Sequence, residues 1–97
     1  SFPYPALEAY RFVAQMLDAT VPITQILDYQ NLTGYKFIKV TPDGNQEIWI
    51  LWSADGNPTS VILPELPHQI YDKLGQPQSA SQTLEITADV RYIVWDR

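Results

Sequence analysis

Residues 46–53 decide the fold, and they read Gln-Glu-Ile-Trp-Ile-Leu-Trp-Ser. Successive side chains of a β-strand point to opposite faces, so Trp49 and Leu51 share one face of this segment. The other face holds Ile48, Ile50 and Trp52. Both faces are apolar, whereas a strand with one solvated face alternates between apolar and polar residues. The segment is therefore predicted to be a central strand that is covered on both sides.

The same triplet, Asp-Gly-Asn, flanks this strand at residues 43–45 and 55–57. Asp-Gly between apolar runs is a strong hairpin signal, because Gly adopts a positive φ without steric cost. We therefore expect residues 46–53 to be the middle strand of a three-stranded meander. The triplets also supply oxygen atoms of the kind that calcium binds, but neither continues into a calcium loop with a terminal Glu. The hairpin interpretation is favoured for both.

The composition limits the classes of function. The 97 residues suffice for one domain with a modest core, and a hydrophobic content of 45% is typical of a folded protein. The net charge is -5 and the six Lys and Arg residues are scattered, which argues against a nucleic-acid surface. Cysteine is absent, which excludes disulfides and thiolate chemistry, and no apolar run reaches the ~20 residues of a membrane helix. The chain opens at Ser1 without a methionine, so we expect a processed protein or an excised piece.

Residues 6–17 have helical periodicity. A narrow polar stripe, formed by Glu8, Arg11, Gln15 and Asp18, recurs at spacings of three and four residues. The rest of the helix circumference is apolar, which is typical of a helix buried on more than one side. Because one small domain covers only one side, Tyr10, Phe12 and Met16 are predicted to contact another domain.

The remainder of the chain, about 21–97, reads as strands separated by turn signals. Seven runs are predicted, at residues 23–29, 34–40, 47–52, 59–63, 68–72, 83–87 and 90–95, and the loosest segment, 75–82, is predicted to be a polar loop. Short strands at such spacing indicate an antiparallel β-sandwich or barrel, and the sandwich is preferred here. The predicted fold is mainly β: one N-terminal helix packed on a sandwich of about seven strands, as a single domain over residues 1–97.

Catalytic and metal sites are not predicted. His68 is the only histidine and lies in a turn, where solvation is the common state, and no serine lies in a nucleophile elbow. The acidic residues lie at strand ends or alternate outward, and no pair of carboxylates suggests glycoside chemistry. No cofactor is implied.

Aromatic side chains make up 12% of the chain. Tyr35, Phe37, Tyr92 and either Trp49 or Trp52 lie on strand faces that we expect to be buried, so a core role is favoured for them. Tyr71 and Trp95 lie on strands whose outer faces are less determined. These two are the weak candidates for stacking on a glycan.

Several segments, taken in order, resemble the C-terminal tail of glycoside hydrolases with a (β/α)8 catalytic barrel. They are Ala9-Tyr10-Arg11-Phe12 with Met16-Leu17 on the helix, Gly34-Tyr35-Lys36-Phe37, Ile48-Trp49-Ile50-Leu51-Trp52-Ser53, Val61-Ile62-Leu63-Pro64, Ile70-Tyr71-Asp72-Lys73-Leu74-Gly75, and Val90-Arg91-Tyr92-Ile93-Val94. In such enzymes a last helix is followed by a small β-sandwich. The resemblance covers nearly the whole chain.

The resemblance implies a non-catalytic accessory module, because the catalytic acids of these enzymes lie on barrel strands and none maps to this chain. It implies the catalytic domain of the same polypeptide as the partner, and an extracellular or secreted location. The alternative is a carbohydrate-binding module that holds polysaccharide on an exposed aromatic face. A self-standing enzyme is the least favoured of the three.

Overall fold

The structure is a computed structural model that describes the backbone of residues 4–97 and the side chains from residue 8 onward, so residues 1–3 of the predicted domain lie outside the described part. The described chain contains one helix and eight strands. They are α1 (Tyr4–Met16), β1 (Thr20–Ile26), β2 (Leu32–Thr41), β3 (Gly44–Ser53), β4 (Thr59–Ile62), β5 (Gln69–Tyr71), β6 (Pro77–Gln78), β7 (Thr83–Ile86) and β8 (Arg91–Asp96). Within the part that is described, no helix is long and apolar enough to cross a membrane.

Two antiparallel sheets form the sandwich. Six strands pair in the order β1-β2-β3-β8-β5-β6, and β4 pairs with β7 in a separate two-stranded sheet. The predicted fold class, a mainly β antiparallel sandwich with one N-terminal helix packed on it, is confirmed. The extra strand is β6, which falls in the predicted loop and pairs Pro77 with Tyr71. Asp72 makes this reversal, because its carboxylate accepts hydrogen bonds from the backbone N–H groups of Leu74 and Gln76, each at 2.9 Å.

The junction between α1 and β1 is shorter than predicted. Ala19 has a φ of 58°, and the Thr20 hydroxyl donates to the Leu17 carbonyl oxygen at 2.7 Å, so the chain turns directly from the helix into β1. β1 therefore begins at Thr20 rather than at residue 23. Its Pro22 lies on an edge strand, beside a register shift between Pro22 and Thr24, and sheets accommodate proline at both kinds of position.

β3 is central and covered on both sides, as its sequence predicts. Ile48 and Leu51, which lie on opposite faces, are both fully buried. The predicted meander is only half correct, however. The first Asp-Gly-Asn turn joins β2 to β3 as a hairpin, whereas the second leads to β4 in the other sheet. β8 pairs with β3 instead, since β8 is also buried on both faces and β4 alternates.

The main core lies between the two sheets. It contains Ile26, Leu32, Trp49, Leu51, Ile70, Ile93 and Trp95 from the large sheet or its connections, and Val61, Leu63 and Ile86 from β4, β7 and the adjoining loop. β2 and β3 approach closely here at Gly34, where a Cβ atom would lie 2.3 Å from the Ile50 carbonyl oxygen. The opposite face of the large sheet, which we call the helix side, receives α1.

Candidate interaction surface

Phe12 anchors α1 to the helix side of the large sheet. Its ring centroid lies 5.1 Å from that of Tyr71 and 5.0 Å from that of Tyr92, the latter in an edge-on arrangement. Gly75 passes so close to the ring that a Cβ atom at this position would lie 2.3 Å from Phe12 Cδ1. Phe12 therefore packs within this domain.

Tyr10 lies on the outer side of α1. Residues two apart on a helix differ by about 200° in direction, so Tyr10 points away from the sheet that Phe12 contacts. Tyr10 is 73% exposed, and Arg11 and Ala14 are exposed beside it. We call these three residues the outer helix surface. Met16 is half-buried and borders a groove beside the helix with Phe12 and Tyr71.

The three residues predicted to contact another domain thus occupy different positions. Tyr10 is available on the surface, Phe12 is engaged by two tyrosine rings, and Met16 lies at a groove. The contact with another domain stays a prediction, and Tyr10 is its most accessible member.

A second group of aromatic side chains is accessible on the helix side, at Tyr35 of β2 and Trp52 of β3. Tyr35 is 43% exposed and Trp52 is half-buried, and their ring centroids are 6.2 Å apart with planes inclined at 39°. We call this pair the aromatic platform. The expectation that Tyr35 belongs to the core is wrong, because α1 packs through Phe12 over β5 and β8 and leaves Tyr35 exposed. Of the other aromatic residues expected in the core, Trp49 and Tyr92 are buried and Phe37 is half-buried.

The two predicted glycan-stacking residues are not free platforms. Trp95 is buried, packs edge-on against Trp49 at 4.8 Å, and donates its indole N–H to the Glu65 carbonyl oxygen at 3.2 Å. The prediction that Trp95 stacks on a glycan is therefore wrong. Trp95 is a core residue, because it lies on the face of β8 that the two-stranded sheet covers. Tyr71 is half-buried and packs against the ring of Phe12.

A charged cluster lies at the rim of the core beside the two buried tryptophans. Glu47 accepts a hydrogen bond from the Trp49 indole N–H at 2.7 Å and from Arg97 Nε at 3.3 Å. Arg97 also forms a hydrogen-bonded ion pair with Glu65, which raises the pKa of the guanidinium above its usual range. The Arg97 guanidinium thus forms ion pairs with both carboxylates. Glu47 and Glu65 therefore do not frame an open cleft of the kind that a glycosidase needs for its two acids.

The second Asp-Gly-Asn turn is held by Asp55. Its carboxylate accepts hydrogen bonds from the Asn31 amide at 2.9 Å, from the Asn57 backbone N–H at 2.9 Å and from the Ser53 hydroxyl at 3.1 Å. These donors, the Asn31 amide foremost, lower the pKa of Asp55 to about 2. Because the oxygen atoms of this carboxylate are engaged by the protein, the turn has a structural role.

The carboxylates and the histidine do not assemble a metal site among the residues that the structure describes. No cluster of three or more His, Asp or Glu side chains in this part of the chain has the arrangement to hold a metal ion. His68 pairs with Asp96 at 3.3 Å in an exposed position.

Comparisons of the chain with protein-family models, with curated proteins and with solved structures found no match. The resemblance to glycoside hydrolase tails therefore stays a prediction from the motifs and their order.

Proposed function

We propose that this domain is a non-catalytic accessory module of a larger carbohydrate-active enzyme, a glycoside hydrolase. In this proposal it follows a (β/α)8 catalytic barrel in the same polypeptide and stabilises or orients it. The sequence supports the proposal through the ordered helix, strand and turn motifs. The structural observation that carries it is the outer helix surface.

The outer helix surface has the chemistry of a contact point. Tyr10 is 73% exposed on a helix whose other side is fixed to the sheet by Phe12. Tyr and Arg are enriched among the residues that contribute most to protein interfaces, and Tyr10 and Arg11 are adjacent here. A helix that is already formed loses less backbone freedom on docking than an unstructured segment does, which favours binding.

The charged residues of the module support a non-catalytic role. Glu47 and Glu65 share the Arg97 guanidinium, and Asp55 is engaged by three donors of its own turn. In the proposal, bond cleavage belongs to the barrel and the module contributes stability.

The test uses the longer polypeptide that contains this domain. Tyr10→Asp is compared with Ile62→Asp, a matched control whose side chain is 69% exposed on β4, away from α1. Placing a carboxylate in an apolar contact leaves it without a partner, so Tyr10→Asp is expected to lower the melting temperature of the long polypeptide by several degrees. Neither substitution is expected to shift the melting temperature of the isolated domain.

Two results would overturn the proposal. One is a complete polypeptide in which no barrel of alternating strands and helices precedes this domain. The other is an equal melting temperature for the Tyr10→Asp and Ile62→Asp forms of the long polypeptide.

A further inference from the structure

We infer that the aromatic platform, Tyr35 and Trp52, binds the face of a pyranose ring in a neutral oligosaccharide. This site goes beyond the proposed role as an accessory module. It uses different residues from the outer helix surface and does not require a catalytic domain.

The geometry of the platform supplies the apolar part of such a site. Tyr35 and Trp52 lie on the same face of adjacent strands, with centroids 6.2 Å apart and planes inclined at 39°, so together they form a shallow trough. The C–H groups on one face of a pyranose ring pack against aromatic rings, and binding sites combine such apolar contact with a few placed polar groups. Trp52 is half-buried and packs beside the Tyr35 ring, which restricts its motion before a ligand arrives.

The strand register places uncharged polar groups beside the rings. Tyr35 pairs with Gln25 on β1, and Trp52 pairs with Thr33 on β2. Within the described residues, neither the Gln25 amide nor the Thr33 hydroxyl has a hydrogen-bond partner in the protein, so both are free for sugar hydroxyl groups. The other cross-strand partner of Tyr35 is Ile50. Because none of these three partners is charged, the platform matches a neutral ligand rather than an acidic or basic one.

The size of the platform favours a sugar over a protein. A large aromatic side chain buries about 150–250 Å² when it is fully covered. With Tyr35 43% exposed and Trp52 half-buried, the two rings offer on the order of 100–200 Å². A stable protein interface buries roughly 800 Å² on each partner, several times more than the platform provides.

The experiment is affinity electrophoresis of the 97-residue protein in gels that contain starch, glycogen, xylan, mixed-linkage β-glucan or mannan. Tyr35→Ala tests the platform, since an exposed side chain is removed without opening the core. Ile62→Ala is the matched control, because it removes a more exposed large side chain from β4, which lies in the other sheet. Circular dichroism verifies that both variants are folded.

The expected result is retardation by at least one of these polysaccharides, with at least tenfold weaker association for Tyr35→Ala and unchanged association for Ile62→Ala. Gln25→Ala is expected to weaken association by a smaller factor. The inference is overturned by the absence of retardation on all five polysaccharides, or by retardation that Tyr35→Ala leaves intact. It is also overturned if Tyr35→Ala leaves glycan association unchanged and destabilises the longer polypeptide, because the platform is then a protein contact. None of these outcomes alters the Tyr10→Asp comparison, so the two proposals fail separately.

Discussion

Gly34→Ala is predicted to be strongly destabilising, although it adds only one methyl group. Gly34 lies on β2 opposite Leu51 of β3, at a buried position. A Cβ atom there would lie 2.3 Å from the Ile50 carbonyl oxygen and 2.5 Å from Leu51 Cδ2. The first obstacle is a backbone atom, and the second belongs to a side chain that is fully buried, so displacing either of them costs free energy.

The magnitude follows from the overlap. Raising the distance to the Ile50 oxygen from 2.3 Å to the tolerable 3.0 Å requires a shift of about 0.7 Å between two paired strands that lie ~4.8 Å apart. Overpacking of a core costs about 1–3 kcal/mol, and an immobile backbone obstacle places this site at the upper end. Replacing Gly also restricts the unfolded chain, which returns about 0.4–1 kcal/mol. The net loss in the free energy of unfolding is about 2–2.6 kcal/mol.

Urea denaturation followed by tryptophan fluorescence measures this loss. In thermal unfolding, the melting temperature is expected to fall by roughly 10 °C or more, since 1 kcal/mol corresponds to about 4–8 °C in a domain of this size. Leu51→Ala removes one of the two obstacles, so Gly34→Ala combined with Leu51→Ala should cost less than the sum of the single substitutions. The steric reasoning is refuted if Gly34→Ala lies within about 0.5 kcal/mol of the parent protein, or if the two substitutions are additive.

Three further predictions follow from individual contacts. Phe12→Ala is expected to lower the free energy of unfolding by about 2–4 kcal/mol, because the Phe12 ring packs on Tyr71 and Tyr92. A loss under about 1 kcal/mol in urea denaturation would contradict the role of Phe12 as the anchor of α1. The pKa of Asp55 is lowered from 3.8 to about 2 on folding, so the stability that this carboxylate contributes is complete above about pH 4 and is lost as the pH falls towards 2. Urea midpoints should therefore fall less steeply with falling pH in Asp55→Asn than in the parent protein, and identical slopes would argue against the assignment. Glu47→Ala leaves the Trp49 indole N–H without its acceptor, so we expect the free energy of unfolding to fall by about 1–3 kcal/mol and acrylamide to quench tryptophan fluorescence more strongly. Unchanged quenching would speak against this contact.

The parts of the fold that were predictable depend on local alternation. Residues 46–53 are apolar on both faces, which indicated a covered strand wherever its neighbours came from. On β4, Val61 is buried and Ile62 is 69% exposed, as a period of two residues requires. The same reasoning, applied to β8, would have predicted the burial of Trp95, because residues 92–95 are also apolar on both faces.

The parts that were not predictable depend on distant partners. A turn sequence specifies that the chain reverses, but not which strand it then pairs with. The sequence therefore predicts that β4 pairs with β3, whereas β4 pairs with β7 in the other sheet. The exposure of Tyr35 depends on how far α1 extends across the sheet, which no residue near position 35 encodes. The charged cluster is similar, since Glu47, Glu65 and Arg97 are far apart in sequence and meet only in the folded domain.

The position of β8 has a consequence for how the domain folds during synthesis. β8 lies between β3 and β5, although it follows both in the chain and is separated from β3 by residues 54–90. Until β8 is made, the large sheet is divided into β1-β2-β3 and β5-β6, and β3 and β5 each have an unpaired edge. Unpaired strand edges make a nascent chain prone to aggregation, which chaperones counteract. Pairings between distant segments also slow folding. A ribosome-stalled chain that ends before residue 91 should therefore remain protease-sensitive, and protection should appear in a single step once β8 has emerged.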